Sequence, residues 1–511
     1  MSRPESTVEP AAPGTGPAGS RVPGLVRIVG FLVCVEIASG ILQGYYTPIW
    51  KDIAGHLAMS DADVNWFEAA QLIVAALAVP PMARLGDMVG HKRVLVASTA
   101  VTALGSWILA FSPNFVTFLI GFAVQGAYIV WLPMEISIIH RRTAGSPRQH
   151  ALTRYAAAVL VGALELAVII GALTSGALVE STSMSFVLAL PAIAVTLVLV
   201  LVVAGIEHVP GHGLTDPDLP GFGLLTLALG LIMAGLITIR LQGPASALAW
   251  ALLVLGIAAL VVFTRFEAGR EHPFVDVRLL ALPRQWPVQL TAFLFGMSVL
   301  GAQIPLSTFA RTDPDVAGYG LGAGASFVST LIGVYVISLA IGAFTLPVVS
   351  RLLGTRTAHV LYCLLVAVGY GLWLPFHATT LQAVINMVIA GVGSGALVAA
   401  LPASAAAGAP PAATGLATGM TNATKTVGGA IASSIFAISL SATGSLGDPT
   451  AGHAPLSGYM IVWSVCAVAA LLAAIGLVRL PSDRGDGHEP SLPGEPAVAP
   501  ASAGRPVGTE S

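Results

Sequence analysis

Ala83-Arg84-Leu85-Gly86-Asp87-Met88-Val89-Gly90-His91-Lys92-Arg93-Val94-Leu95 is a short charged stretch set between two apolar runs, 64–83 and 94–112. A helix rises about 1.5 Å per residue, so about 20 apolar residues cross the ~30 Å of bilayer hydrocarbon. Both runs have about that length, and neither alternates as a barrel strand does. The stretch therefore reads as the turn of a hairpin of membrane-crossing helices. Gly90 permits a tight turn, and Lys92 and Arg93 hold it at the lipid headgroups.

The same reading extends along the whole chain. Of 511 residues, 55% are apolar and only 9% charged, where soluble domains carry about 25% charged residues. Fourteen apolar runs follow one another, at roughly 24–48, 64–83, 94–112, 114–138, 153–178, 185–206, 221–239, 245–264, 287–309, 326–350, 358–376, 379–402, 413–441 and 458–479. Inside lipid the backbone must satisfy its own hydrogen bonds, so each run is expected to be a helix. The first run is too long for a signal peptide and lacks its cleavage pattern. Residues 1–23 and 481–511 are rich in Pro, Gly, Ala, Ser and Glu and read as disordered tails.

Charge sets the expected orientation. With the N-terminus inside, 19 of the 23 Lys and Arg fall in cytoplasmic segments; Lys51, Arg240 and Arg311 fall outside and Lys425 lies within a span. Cytoplasmic loops hold the excess of positive charge, so both termini are expected in the cytoplasm. The net charge of −2 excludes an electrostatic case for nucleic acid as partner. Cys34, Cys363 and Cys466 lie in apolar runs at unrelated spacings, so neither a disulfide framework nor a metal site is expected. No phosphate-binding Gly-rich loop ending in Lys-Ser/Thr occurs, which argues against direct drive by ATP. No loop is large enough to fold as a catalytic domain, and no cofactor is implied. The excess of Arg over Lys, with abundant Ala and Gly, points to a bacterial source.

Ionised groups in hydrocarbon are costly and mark functional positions. Four acids lie in spans: Glu36, Glu68, Glu135 and Glu165, all within the first six helices. Glu36 and Glu165 fall near mid-membrane, where desolvation penalises the charged form and a carboxyl can load and release a proton. Glu68 and Glu135 fall closer to the two interfaces, within reach of solvent. Ser39 and Gln43 share a helix face with Glu36, which places that stripe toward a central cavity. Each acid also has a purely structural reading, satisfied by a neighbouring hydroxyl or backbone group. Lys425, the lone cation in a span, is read as a clamp to a first-half acid or as a neutraliser of an anionic substrate. Tyr45, Tyr46, Trp50 and Trp66 read as an interfacial aromatic belt.

The charged stretch at 83–95 resembles the signature loop of the major facilitator superfamily, with matches at Leu85, Asp87, Gly90, Lys92 and Leu95. The resemblance implies a conformational lock formed by Leu85, Asp87, Gly90, Lys92 and Arg93, in which Asp87 meets the start of a helix in the second half. A weaker echo, Ser350-Arg351-Leu352-Leu353-Gly354-Thr355-Arg356, follows the tenth run and suggests an internal repeat. The fourteen-helix plan, the loop with Pro273, Asp276 and Leu279, and the run from Gly415 through Asn422, Lys425 and Gly429 resemble the drug:proton antiporter branch. That branch implies an all-α membrane fold of two six-helix bundles, 24–206 and 287–480, with a two-helix insert at 221–264. It also implies Gln125, Asn422 and Lys425, with Ser39 and Gln43, as cavity residues.

The expected activity is secondary transport, not enzymatic catalysis: proton-coupled efflux of a small amphipathic molecule by a monomer in the cell inner (plasma) membrane. The partners are that substrate, protons and the bilayer. Two alternatives stay open. An uptake symporter or facilitator is favoured by the absent proline after Gly171 and by Phe122 where the branch places an Arg. A membrane-embedded sensor or enzyme is the alternative of another class.

Overall fold

The computed structural model describes residues 29–60, 63–143, 149–206, 218–270, 273, 275–410, 414–440 and 454–480; the expected tails lie outside these. The described residues form helices and connecting turns. In the first part of the chain they are α1 (Leu32–Tyr45), α2 (Trp50–His56), α3 (Asn65–Val89), α4 (His91–Ala110), α5 (Phe115–Gln125), α6 (Trp131–Arg142), α7 (Gln149–Val179) and α8 (Met184–Gly205). Next come α9 (Leu219–Gln242), α10 (Ala247–Ala268) and the short α11 (Val277–Leu280). The remainder is α12 (Trp286–Val299), α13 (Gln303–Arg311), α14 (Pro314–Ala317), α15 (Ala325–Leu353), α16 (Thr355–Gly371), α17 (Thr380–Ala407), α18 (Thr414–Leu440) and α19 (Leu456–Val478). Among the described residues, eleven helical stretches are long and apolar enough to cross a membrane. α1, α3 and α16 are further helices packed among them.

Apolar burial divides the chain. One set of cores gathers side chains between Val29 and Ile206, joined by Ile304 of the second half, around Trp131 at one end and Phe67 and Phe118 at the other. A second core runs from Leu279 to Leu480 around Phe309, Trp373 and Trp463. The two halves meet where α3 packs on α18 and α7 on α15. α9 and α10 pack chiefly on each other, and α9 also touches α3 and α18. The outer face of α10 exposes Leu248, Val254, Leu255 and Val261, as a face turned to lipid tails does.

The turn at 83–95 is shorter than its charge suggests. α3 runs on to Val89 and α4 begins at His91, leaving only Gly90 between them, at φ +104°. An apolar run measures the width of hydrocarbon, and a helix continues past that boundary wherever its polar residues tolerate helical φ and ψ. Gly354 repeats the device between α15 and α16, at φ +86°. In both turns the glycine N–H donates to the carbonyl four residues back, Gly90 to Gly86 and Gly354 to Ser350, at 3.0 Å. The echo in sequence is thus a repeat in backbone geometry.

Other expected spans are interrupted. The first ends at Tyr45; a 3-10 turn at Thr47–Ile49 then leads into α2. The fourth changes to a 3-10 segment at Gly126–Val130, where Gly126 lies so close to Gln71 that a Cβ would stand 2.8 Å from its carbonyl oxygen. The ninth breaks between α12 and α13. The aromatic belt is also corrected: Tyr45, Tyr46, Trp50 and Trp66 are all buried within the protein. The Tyr45 hydroxyl donates to the Val187 carbonyl at 2.8 Å, and Tyr46 accepts from Gln125.

Candidate functional site

A cavity of about 360 Å³ lies between the halves. α1, α3 and α7 contribute Ser39, Gln43, Glu68, Gln71 and Glu165 to one wall. Facing them, α13 and α18 supply Gln303, Thr421, Asn422, Lys425 and Thr426. Aromatic rings of Tyr46, Trp50, Phe122, Tyr128 and Phe295 complete the lining. Acids therefore stand on the first-half wall and the cation on the second-half wall. Glu165 and Lys425 interact electrostatically across this space.

Helix periodicity explains the first-half wall. Ser39 and Gln43 stand one turn apart on α1, and Gln43 Nε2 donates to Ser39 Oγ at 3.2 Å. Gln71 sits one turn after Glu68 on α3, and its Nε2 donates to the Phe122 carbonyl at 3.2 Å. Glu165 falls on the cavity side of α7, while Leu166 on that helix is exposed.

The other expected site residues fall elsewhere. Glu36, on the same helix as Ser39, does not line the cavity: it is fully buried. Its neighbour behind the wall is Glu135 of α6, which is also fully buried. The nearness of Glu135 to a helix end suggested solvent, but the first-half core closes over it. Among the described residues, no oxygen of either side chain has a hydrogen-bond partner. Gln125 is likewise behind the wall rather than in it. It donates to Tyr46 Oη at 3.0 Å and to Ser106 Oγ at 2.9 Å, and so fixes the cavity-lining Tyr46 from behind.

Of the lock residues, Leu85 is exposed near the end of α3, and the Asp87 side chain lies outside what the structure describes. Lys92 donates to the Val203 carbonyl at 3.0 Å and to the Ile206 carbonyl, capping α8 with positive charge where the helix dipole favours it. Arg93 reaches back to the Val89 carbonyl at 3.4 Å. Both cations thus bind within the first half.

A clasp between the halves, unforeseen from the sequence, lies beside Thr47 and Trp50 of the cavity lining. Arg311 of α13 pairs with Asp52 of α2, with one guanidinium contact at 3.1 Å, and also donates to the Pro48 carbonyl at 3.3 Å. Lys51 donates to the Arg311 carbonyl at 2.7 Å, and Ser307 to the Thr47 carbonyl. Ser329 of α15 donates to the Ala172 carbonyl of α7 at 2.7 Å. A signal for the clasp was present: Lys51 and Arg311 are two of the three cations that break the charge rule. The third, Arg240 of α9, is engaged as well. It grips Asp63 through three contacts of 3.1 to 3.2 Å, with both side chains buried.

The family model described as Major Facilitator Superfamily matches residues 32–433. The chain is 28% identical over 417 residues to the cephamycin export protein of Amycolatopsis lactamdurans, covering 79% of this chain and 82% of that one. It is 26% identical over 310 residues to the uridine/deoxyuridine transporter of Lactococcus lactis, 59% of this chain and 63% of that relative's length. A solved POT peptide transporter in complex with sulfate superposes with a TM-score of 0.61 at 14% identity, over 89% of this chain and 94% of that one. At that identity the likeness is one of fold.

Proposed function

The chain belongs to the Major Facilitator Superfamily, and from that premise we propose that it is a proton-coupled exporter of a small amphipathic molecule. The observation that carries this reading is the cavity between the halves, with Glu68 and Glu165 facing Lys425 across an aromatic lining. A carboxyl group in such a cavity can hold a proton or face a cargo, and mutual exclusion of the two is what exchange requires. The charge pattern supports placing the clasped end outside, so that the cavity is closed toward the exterior. In the same reading the chain makes fourteen spans of the drug:proton antiporter plan, two six-helix bundles with a two-helix insert. Both termini are then cytoplasmic and the carrier sits in the plasma membrane. The lock around Asp87 would close the opposite end when the clasp opens. The buried Glu36–Glu135 pair is assigned as a second proton-holding site within the first bundle. Likeness to a cephamycin export protein supports the outward direction.

A membrane potential of 100 mV supplies about 2.3 kcal/mol per charge moved, so one proton supports a cargo ratio of several tens. The test uses purified protein in liposomes with an imposed pH difference. Glu165→Gln and Glu68→Gln are expected to abolish gradient-driven cargo movement, and Glu36→Gln to reduce it. Uphill movement that persists after both pH and voltage differences collapse would refute the proposal. Likeness to a uridine/deoxyuridine transporter favours a second reading, uptake. Accumulation in right-side-out but not inside-out vesicles selects it.

A further inference from the structure

Resting on the transporter reading above, we propose that the cargo is a dipolar aromatic molecule. It would carry a protonated amine held toward Glu68 and Glu165 and a carboxylate-type anion held on Lys425. Lys425 lines the cavity yet, among the described residues, makes no hydrogen bond or salt bridge; it interacts with Glu165 only at longer range. Glu68 and Glu165 line the same space and likewise make no hydrogen bond or salt bridge among the described residues. Every other charged pair noted above, Arg240–Asp63 and Arg311–Asp52 included, is closed by direct contacts. The cavity charges are thus left open, and open to one shared volume.

Their arrangement restricts what can fill that volume. A charge removed from water without a partner is costly, and removing one partner of a paired charge is worse. A cargo that is only cationic satisfies the acids but sets its charge against Lys425. A cargo that is only anionic satisfies Lys425 but faces two carboxyl groups, and a neutral cargo leaves all three unmet. A molecule with both charges satisfies both walls and is oriented by them. Its body is specified by the rings of Tyr46, Trp50, Phe122, Tyr128 and Phe295, which favour offset or edge contact with another ring. The volume, about 360 Å³, falls within the range of small-molecule pockets. Because the acids belong to one half and the cation to the other, such a cargo bridges the halves.

The test is equilibrium binding to the full-length protein in lipid nanodiscs, without any gradient. Two aromatic scaffolds with short and long charge separation serve as probes, biphenylalanine and aminomethyl-biphenylcarboxylate. Each is used as the zwitterion, as the methyl ester (amine only) and as the N-acetyl form (acid only). For at least one scaffold the zwitterion is expected to bind about tenfold or more tighter than either single-charge form, equivalent to ~1.4 kcal/mol. Lys425→Gln should bring the zwitterion down to the level of its ester, and Lys425→Arg should restore the difference. The Glu68→Gln, Glu165→Gln double variant should bring it down to the level of the N-acetyl form. Esters that bind as tightly as the zwitterions, no binding by any probe, or Lys425→Gln without effect would overturn the proposal. Gradient-driven movement of an ester would leave the exporter reading standing and remove the dipolar cargo. Zwitterion binding with no gradient-driven movement would do the reverse.

Discussion

The lack of a side chain at Gly395 sets how closely two helices of the second half can approach. A Cβ on Gly395 of α17 would stand 1.8 Å from the Leu339 carbonyl oxygen of α15, and one on Gly342 of α15 would stand 2.0 Å from that of Val392. Small residues at such crossings let backbones touch. Gly395→Ala is therefore expected to force the pair apart at a cost of about 1–3 kcal/mol, seen as a lowered melting temperature in detergent. Gly230→Ala on α9, where nothing lies within 4 Å, should leave the melting temperature unchanged or slightly raised. At this scale the sequence was partly legible. The rarity of charge in spans singled out Glu68, Glu165 and Lys425, and the cavity gathers all three. It could not tell that Glu36 turns away toward Glu135, because helix periodicity gives a residue's face and not what covers that face.

Among the elements, the glycine turns and the α9–α10 pair are the informative cases. Gly90 and Gly354 hold φ values that an L side chain adopts only under strain. Alanine at either is expected to cost about 1–3 kcal/mol, measured as reduced thermal stability, with Gly371→Ala as the unstrained comparison. α9 is tied to the first half by Arg240–Asp63, and its Met233 accepts from Ser434 of α18 in the second half at 3.4 Å. Arg240→Ala removes the bidentate partner of a buried carboxylate and is expected to destabilise by about 3–5 kcal/mol. Replacing both residues with apolar ones of similar size should recover most of that loss. Faster hydrogen exchange in α9 of the single variant, restored in the double one, is the check. Element boundaries were the least legible feature. The breaks at Gly126–Val130 and between α12 and α13 lie inside continuous apolar runs, because a run reports solvent and not local winding.

For the whole molecule the question is which end of the cavity opens. The clasp of Arg311, Asp52, Lys51 and Ser307 joins the two halves beside Trp50. Asp52→Asn with Arg311→Gln is expected to shift the population toward opening there. Spin labels on Ser181→Cys and Asp315→Cys, both exposed near that end in different halves, should report a longer and broader distance distribution. An unchanged distribution would show that the clasp does not set the equilibrium.

From the residues alone came the membrane-embedded helical class, the family resemblance and the set of groups that polarity makes conspicuous. These are properties of one position or one stretch, since hydrocarbon selects for apolar length and against charge without reference to distant residues. Only the tertiary structure decided which conspicuous groups meet. It placed Glu165 opposite Lys425, buried Glu36 against Glu135, set Gln125 behind Tyr46, and joined Lys51 and Asp52 to Arg311. Each of those contacts joins residues far apart in the chain, and its energy depends on packing between helices that no local pattern encodes.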